Sequence, residues 1–321
     1  MASPAVIVPT HNRASELAGL LSSLQQQTIE HDVVVVDNAS SDGTRALVAE
    51  RFPYVRTLEL PENAGFGRAI NRAVASIETD TIVLVNDDAV CLPRFLEALC
   101  TVLDPKNRVV MAAGVLLDSA DPARIDSCGI LFDRTLFGLD YLHGEAISAL
   151  EEDLAGPIGP SGGAAAFDRA AFDAVGGFDE HFFAYLEDVD LAARLIAQGG
   201  RCRLAIGAQA LHAGSATLGS GSRRKNELMG WSRGYTIGKY RLYRNPRLLG
   251  RALLDEAVIV SGQAVIDRTL VGGPARLAGF RAGLRVPAER LPKLPAAAKE
   301  ISVLDGLRYR FSRRSPGRHR T

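Results

Sequence analysis

Cysteine is scarce in this 321-residue chain, which holds only four, widely scattered residues of that type. Cys91, Cys100, Cys128 and Cys202 show none of the paired spacings that hold a structural zinc ion. The pattern therefore excludes a disulfide-rich or zinc-dependent scaffold. We expect reduced thiols in a cytosolic chain.

Long hydrophobic runs are missing as well. The best candidate for a membrane span, residues 252–266, contains Asp255 and Glu256, and no stretch reaches the roughly 18 uncharged apolar residues that a span needs. A strand-like run already begins at Ala5, which does not fit a secretory signal peptide. We therefore predict a cytoplasmic protein without a transmembrane helix. Peripheral contact with the inner face of the cell membrane stays open.

The chain has no net charge, but its charges are separated along the sequence. Residues 1–222 hold 15 Lys and Arg against 30 Asp and Glu, which leaves 22 and 7 of the 37 of each sign for residues 223–321. The two parts therefore carry −15 and +15. The basic end, residues 308–321, has two interpretations: contact with anionic lipid or a diphosphate head group, or a solvated, disordered terminus.

Strand and helix patterns alternate over residues 1–100. Apolar runs predict strands at residues 5–8, ended by Pro9, and at 33–36, 55–60 and 82–85. Apolar residues at helical spacing lie between these runs. The alternation predicts an α/β fold with a Rossmann-like, mostly parallel sheet flanked by helices.

Polar residues follow three of these strands. Thr10 follows the first, Asp37 the second, and Asp87 with Asp88 the fourth. Ligands of open α/β sheets bind outside the carboxyl ends of the strands. The sequence therefore predicts a ligand crevice lined by these four residues.

The later residues are less regular. Residues 118–126 form either a polar insertion or a hairpin loop, a helix begins at Glu187 and ends at the glycines 199–200, and residues 203–206 favour a strand. After Ser222, three basic segments have helical character, at 225–243, 246–262 and 270–284. We expect one domain of residues 1–222 and a mostly helical, basic C-terminal region of residues 223–321.

Two acidic clusters are candidates for chemistry. Asp87 and Asp88 repel each other unless a cation lies between them, and carboxylates suit Mg²⁺ or Mn²⁺. A helix cap or turn is the alternative. Glu187, Asp188 and Asp190 open a helix, where the dipole favours negative charge, and one of them could instead be a general base.

One histidine of the six in the chain, His212, follows the strand-like segment near residue 206. A lone histidine is usually structural, but beside a carboxylate-bound cation it can be a ligand. The glycine loop at residues 65–67 lacks the full dinucleotide-binding fingerprint and carries little weight alone.

Taken together and in order, these signals resemble the motifs of family-2 inverting glycosyltransferases. The matching segments are PTHNR at 9–13, VDNASSDGT at 36–44, NAGFG at 63–67, NDD at 86–88, SGG at 161–163, GGFD at 176–179, FAYLEDVD at 183–190 and HAGS at 212–215. The resemblance covers about residues 4–220. Within the family, the sequence is most similar to bacterial rhamnosyltransferases and galactofuranosyltransferases of cell-wall or surface-polysaccharide assembly.

The resemblance implies a GT-A fold and a donor site in the first half of the chain. Asp37 would hydrogen-bond the pyrimidine ring of the donor nucleotide. The other residues implied in donor binding are Thr10, Arg13, Asn63, Gly65 and Asp87. Asp88 would hold the metal ion, and His212 would complete its ligands.

The resemblance also implies that Asp188 is the catalytic base. Glu187 and Asp190 would orient the acceptor or support Asp188. The sequence departs from the family pattern at Asn86, where an aspartate would be expected. This departure leaves open which of the two following aspartates binds the cation.

The function implied is transfer of a sugar from a nucleotide-diphosphate donor to an acceptor hydroxyl, with Mn²⁺ or Mg²⁺ as cofactor. Rhamnose from TDP-rhamnose is the first expectation for the donor, ahead of UDP-linked sugars. The acceptor would be a glycan or a polyprenyl-diphosphate-linked saccharide, reached through peripheral membrane contact of the basic C-terminal region.

The sequence argues against three other functions. A nucleotidyltransferase would need a glycine-rich, basic first loop, which residues 9–13 do not provide. A non-catalytic module that binds sugar nucleotides or glycans would tolerate loss of Asp88 and Asp188, yet both are present. The acidic first part of the chain opposes nucleic-acid binding.

Overall fold

The computed structural model describes residues 3–150, 156–213 and 222–294. The basic terminus at 308–321 and the last two residues of the HAGS segment lie outside these ranges. The strands are β1 Ala5–Thr10, β2 Asp32–Asp37, β3 Arg56–Glu59, β4 Thr81–Val85, β5 Ala89–Cys91, β6 Val109–Asp118, β7 Asp121–Ser127, β8 Ile130–Phe132, β9 Gly138–Asp140, β10 Ala164–Asp168 and β11 Arg201–His212. The helices are α1 Ala14–Leu24, α2 Thr44–Arg51, α3 Phe66–Val74, α4 Phe95–Thr101, α5 Arg169–Ala174, α6 Glu187–Ala197, α7 Arg223–Lys239, α8 Pro246–Ile266 and α9 Gly272–Arg285.

One large sheet organises the molecule, with strand order β3-β2-β1-β4-β10-β6-β11-β5 and with β7 beside β6. Strands β3, β2, β1 and β4 run parallel, and β10 is antiparallel to both of its neighbours, β4 and β6. The predicted α/β class with a Rossmann-like mixed sheet is confirmed.

Both faces of the sheet are buried, because alternate strand residues enter different cores. Ile7 and Val34 pack into one apolar cluster, which includes residues of α3 and α6. Val6 and Val33 pack into the other, with residues of α1 and α4. Successive side chains of a strand point to opposite faces, so these strands are apolar at nearly every position.

The first strand is longer than the sequence suggested. Pro9 was expected to end it, but β1 continues through Pro9 to Thr10 and pairs there with β2. Pairing of β1 with β4 already ends at Ile7, so the absent N–H of Pro9 removes no hydrogen bond on that side. The extension carries Thr10 to the edge of the sheet, level with Asp37.

The middle of the chain contains the hairpin that was one of two alternatives for residues 118–126. Strands β6 and β7 pair antiparallel there. Strand β11 is also longer than the expected residues 203–206, because it pairs with β6 on one side and β5 on the other. This pairing brings His212, at its end, opposite Ala89.

The predicted helices after Ser222 are present as α7, α8 and α9. Helices α7 and α9 pack backbone to backbone, since a side-chain carbon on Gly234 would lie 1.9 Å from the carbonyl oxygen of Arg276. A carbon on Gly279 would lie 2.0 Å from the carbonyl oxygen of Trp231. Glycine permits this approach because it has no Cβ. Within the described ranges, no helix is both long and apolar enough to cross a membrane.

A buried charge cluster ties the three helices to the rest of the fold. Arg233 Nε donates to Glu256 Oε1 at 2.6 Å, and Arg276 Nε donates to Glu256 Oε2 at 2.5 Å. Arg233 also donates to the carbonyl oxygens of Thr135 and Leu136. Although burial opposes ionisation, the two guanidinium groups lower the pKa of Glu256. The cluster therefore stays charged, and its hydrogen bonds hold the side chains in fixed orientations.

Candidate active site

The four residues predicted to line a ligand site lie together at the carboxyl ends of β1, β2 and β4. Thr10 pairs with Asp37 across the first two strands, and Asp87 and Asp88 follow β4. All four residues are buried. The parallel register brings together residues that lie up to 78 positions apart in sequence.

Asp37 is fully buried at the end of β2 and is already hydrogen-bonded. The backbone N–H of Ser40 donates to its Oδ1 at 2.8 Å, and Arg45 Nε donates to its Oδ2 at 2.5 Å. Burial alone would raise the pKa of Asp37, but these hydrogen bonds and the charge of Arg45 lower it. The structure therefore presents a fixed carboxylate at the position implied to recognise the base.

The glycine loop before α3 has a second contact that the sequence did not reveal. Asn63 Oδ1 accepts from the N–H of Gly65, which has a φ of +83°. A side-chain carbon on Gly65 would lie 2.4 Å from the carbonyl oxygen of Phe183, and Phe66 N–H donates to that oxygen at 2.9 Å. The loop therefore lies directly against the segment that leads to Asp188.

Asp88 lies between two basic side chains. Arg13 Nη1 donates to Asp88 Oδ2 at 3.3 Å, and His212 Nε2 lies 3.1 Å from Asp88 Oδ1. The other ring nitrogen, Nδ1, lies 2.7 Å from Asp126 Oδ2. Burial disfavours the imidazolium, but hydrogen bonds to Asp126 and Asp88 raise the pKa of His212 to about 10.

The pair Asp88 and His212 suits a divalent cation. One carboxylate oxygen and one imidazole nitrogen lie 3.1 Å apart, and a cation that took both as ligands would displace the proton on Nε2. The carboxylate on Nδ1 orients the ring as in many metal sites. Among residues 3–150, 156–213 and 222–294, no three His, Cys, Asp or Glu side chains converge on one point. The protein thus offers two ligands, and the rest would come from a donor diphosphate and water.

Asp87 differs from its neighbour. Burial raises the pKa of Asp87 to about 6, the hydroxyl of Thr10 lowers it, and the charge of Asp88 raises it again. Of the two aspartates, Asp88 contacts Arg13 and His212. This placement favours Asp88 as the residue that faces the cation.

Glu187 and Asp188 form an acidic pair at the start of α6. Burial and the charge of Asp188 raise the pKa of Glu187, whose Oε2 is buried and has no hydrogen-bond partner. Burial and the charge of Asp140 also raise the pKa of Asp188, although it accepts from the N–H of Val189 at 2.8 Å. A carboxylate with a raised pKa is a stronger base than an ordinary aspartate.

Asp190 occupies a different environment, one turn further along. It is 1% exposed, and its oxygens accept from Arg194 Nε at 2.8 Å, Lys239 Nζ at 2.6 Å and Tyr240 Oη at 3.0 Å. Lys239 also donates to Asp179 at 2.8 Å. Of the two expectations for Asp190, this arrangement favours support of the helix over contact with an acceptor.

Sequence reasoning missed two contributors to the site. The sequence indicated only that Asp126 is the last residue of an irregular segment. In the structure Asp126 orients the ring of His212, which lies 86 residues further along the chain. Lys239 was expected only to belong to a basic helix, yet it is 5% exposed and bonded to two carboxylates, Asp179 and Asp190, on either side of Asp188 in the sequence. Neither residue belongs to a motif. Only the tertiary pairing of β7, β11, α6 and α7 reveals them.

Two family models match the chain. The model described as "Glycosyl transferase family 2" matches residues 5–146, and that described as "Glycosyl transferase family group 2" matches residues 81–261. The second match covers more than half of the 321 residues. Together they span the crevice and both candidate carboxylate clusters.

Two characterised relatives are rhamnosyltransferases by name. The N-acetylglucosaminyl-diphospho-decaprenol L-rhamnosyltransferase of Mycobacterium tuberculosis is 30% identical, over 64% of this chain and 75% of that protein. The O-antigen chain rhamnosyltransferase WbaN of Salmonella anatum is 26% identical, over 62% of each chain.

Solved structures share the fold. A mannosyltransferase from Pyrobaculum calidifontis, in complex with GDP-Man and Mn²⁺, matches with a TM-score of 0.53 and 22% identity, over 97% of this chain and 82% of that one. GalNAc-T7, solved with UDP, GalNAc and Mn²⁺, matches with a TM-score of 0.62 and 11% identity, over 98% of this chain and 58% of that one. At these identities the likeness establishes the GT-A fold alone. The family matches, together with the mycobacterial relative, show that the chain belongs to glycosyl transferase family 2 and is a glycosyltransferase.

Proposed function

We propose that this glycosyltransferase is metal-dependent, inverts the anomeric configuration and takes its sugar from TDP-rhamnose, ahead of UDP-linked sugars. The observation that carries the metal dependence is the approach of His212 Nε2 to Asp88 Oδ1 at 3.1 Å, beside the strand ends. The names of the two rhamnosyltransferase relatives support the choice of sugar.

The donor would lie across the ends of β1, β2 and β4. Asp37 recognises the pyrimidine ring, with Thr10 and Arg13 lining the same pocket and Asp87 near the ribose. Asn63 and Gly65 act indirectly here, by holding the loop against Phe183. Asp88 and His212 hold the divalent cation, which when bound stabilises the charge that develops on the leaving diphosphate.

Asp188 acts as the base. It accepts the proton of the acceptor hydroxyl while that oxygen forms its bond to the anomeric carbon and the bond to the diphosphate breaks. A single displacement from the opposite face inverts the anomeric centre. Burial and the charge of Asp140 keep Asp188 basic, and Glu187 supports this role as its buried neighbour at the start of α6.

The acceptor proposed here is a saccharide carried on polyprenyl diphosphate, as in the name of the mycobacterial relative. A lipid-linked acceptor would place the enzyme at the inner face of the cell membrane. The surplus of basic residues after residue 222 supports that location.

A thermal-shift panel tests the donor site. TDP-, UDP- and GDP-sugars are each added with and without Mn²⁺, to the wild type and to Asp88→Ala. Specific ligands raise the melting temperature by mass action. We expect a metal-dependent rise with the TDP-sugar that the variant loses. A rise that needs no metal, or that survives in Asp88→Ala, would refute the metal assignment.

A further inference from the structure

Helix α8 buries acidic residues and exposes large aliphatic ones, the reverse of an ordinary surface helix. Its two acidic residues face the protein: Asp255 is 3% exposed and accepts from Arg251 Nε at 2.9 Å, and Glu256 lies in the buried cluster with Arg233. A surface helix normally buries its apolar stripe and exposes its charges. In α8 only Leu248 and Ala252 are buried apolar residues, and larger aliphatic residues lie on the outside.

The outward residues of α8 are aliphatic. Leu253 is 59% exposed, Leu254 52% and Val265 78%. Ala257 and Ser261 are also exposed and continue the row from Leu254 to Val265 at helical spacing. No exposed charged residue interrupts this row. Contiguous exposed apolar surface of this kind marks an interaction site.

Helix α9 adds leucines and arginines to the same region. It contacts α8, and its glycine side is occupied by α7, so its other side faces outward. Leu277 is 51% and Leu284 39% exposed, and both Arg281 and Arg285 are exposed. We call this region the outer C-terminal face. It comprises Leu253, Leu254, Val265, Leu277, Leu284, Arg268, Arg281 and Arg285.

The C-terminal region that carries this face exposes charge almost entirely of one sign. Among the exposed side chains of residues 222–294, nine are Lys or Arg, and Glu227 is the single Asp or Glu. Leucines flanked by arginines match the interface of an anionic bilayer, where aliphatic groups enter the acyl boundary and basic groups contact lipid phosphates. A protein partner would not by itself require this charge.

We propose that the outer C-terminal face docks on an anionic phospholipid surface, with Leu253, Leu254 and Val265 entering the interface. This surface would explain how the protein reaches the proposed membrane location. The biological role of the docking rests on the proposed function, whereas the lipid binding itself does not. The same helical unit reaches the site, because Ser232 of α7 donates to the carbonyl oxygen of Ala184, four residues before Asp188. Docking would therefore hold the base near the head groups of a lipid-linked acceptor.

Vesicle flotation of the full chain tests the proposal. Wild type is mixed with phosphatidylcholine vesicles with or without phosphatidylglycerol, at low and high salt. We expect flotation only with phosphatidylglycerol, weakened by salt. The pair Leu253→Ser and Leu254→Ser, and separately the pair Arg281→Glu and Arg285→Glu, should each weaken binding at least about tenfold. Tyr54→Ser, which removes a side chain 50% exposed elsewhere, should leave it unchanged.

Three results would overturn the proposal: no flotation of the wild type, flotation that the leucine pair leaves unaltered, or a dimer in solution that the leucine pair dissolves. The last result would assign the face to a second copy of the chain. The donor-induced thermal shift, measured on the same preparations, separates this question from the proposed function. A variant that keeps the donor shift but loses flotation is folded and lacks only the docking surface.

Discussion

Asp126 accepts a 2.7 Å hydrogen bond from Nδ1 of His212, and the opposite ring nitrogen of that histidine faces Asp88 at 3.1 Å. The ring is therefore held between two carboxylates that come from β7 and from the end of β4. Such an outer carboxylate fixes the tautomer and the direction of a metal-binding histidine.

Asp126→Asn should weaken Mn²⁺ binding about 10- to 100-fold, because the amide no longer fixes the histidine proton on Nδ1. Calorimetric titration of Mn²⁺ in the presence of a nucleoside diphosphate measures the effect without turnover. Asp121→Asn is the matched control, since Asp121 lies on the same strand but is exposed and pairs with Arg124. An unchanged Mn²⁺ affinity in Asp126→Asn would show that His212 needs no such orientation.

Asp188→Asn should lower kcat by about 10²- to 10⁴-fold, because the amide cannot accept the acceptor proton. The donor-induced thermal shift should persist, since Asp188 is not assigned to the donor pocket. Asp173→Asn, at the end of an exposed ion pair with Arg169, serves as control. Near-normal kcat in Asp188→Asn would remove its assignment as the base.

The pH dependence of kcat/KM should show the unusual basicity of Asp188. Only its carboxylate form accepts a proton, so activity falls as the pH drops through its pKa. Burial raises that pKa, so the acidic limb should lie above the value of about 3.9 for an ordinary aspartate. Asp140→Asn removes a neighbouring negative charge and should move the limb to lower pH. A limb that stays in place would show that the two groups do not interact.

Glu187→Gln should stabilise the protein at alkaline pH. Because burial raises the pKa of Glu187, its contribution to stability is complete below the ordinary glutamate pKa and is lost as the pH rises through the raised value. Glutamine stays neutral throughout. The melting temperature of the variant relative to wild type should therefore increase from acidic to alkaline pH, by about 2 °C or more. A difference that does not vary with pH would contradict the raised pKa.

Gly234→Ala should strongly destabilise the C-terminal helices, because the new carbon would meet the backbone of Arg276. Circular dichroism during thermal unfolding, with limited proteolysis, checks this. Gly250→Ala is the control: it lies in α8, and a carbon there meets nothing within 4 Å. In that position alanine should stabilise the helix by about 0.5–1 kcal/mol. Equal melting temperatures for the two variants would mean that the close helix contact does not form.

Much of the first half of the fold was predictable from local pattern. Apolar runs locate β1, β2 and β4, and the polar residues that follow them locate the crevice, because parallel strands end at one edge. The same reasoning wrongly predicted that Pro9 ends β1. Whether a proline ends a strand depends on which neighbour needs its N–H, and that information lies in the sheet order.

The second half of the fold was harder to predict from the sequence, for a physical reason. Asp126 and Lys239 act through partners 86 and 49 residues away, and no periodicity records such pairs. A signal for the helix contact did exist, since Gly230, Gly234 and Gly238 recur every four residues in α7. That spacing puts small residues on one helix face and predicts a close neighbour, although it does not say which helix provides it.

The bonds of Lys239 have a consequence for how the chain can be divided. Its ammonium group is shared by Asp179 and Asp190, on the two sides of the segment that carries the base. A protein shortened to residue 222, where the sequence character changes, would leave both carboxylates without that cation and would also lose the Arg233 contacts to the carbonyl oxygens of residues 135 and 136. The boundary that composition suggests is thus a poor place to cut, and a shortened protein that keeps these buried contacts must extend at least through α7.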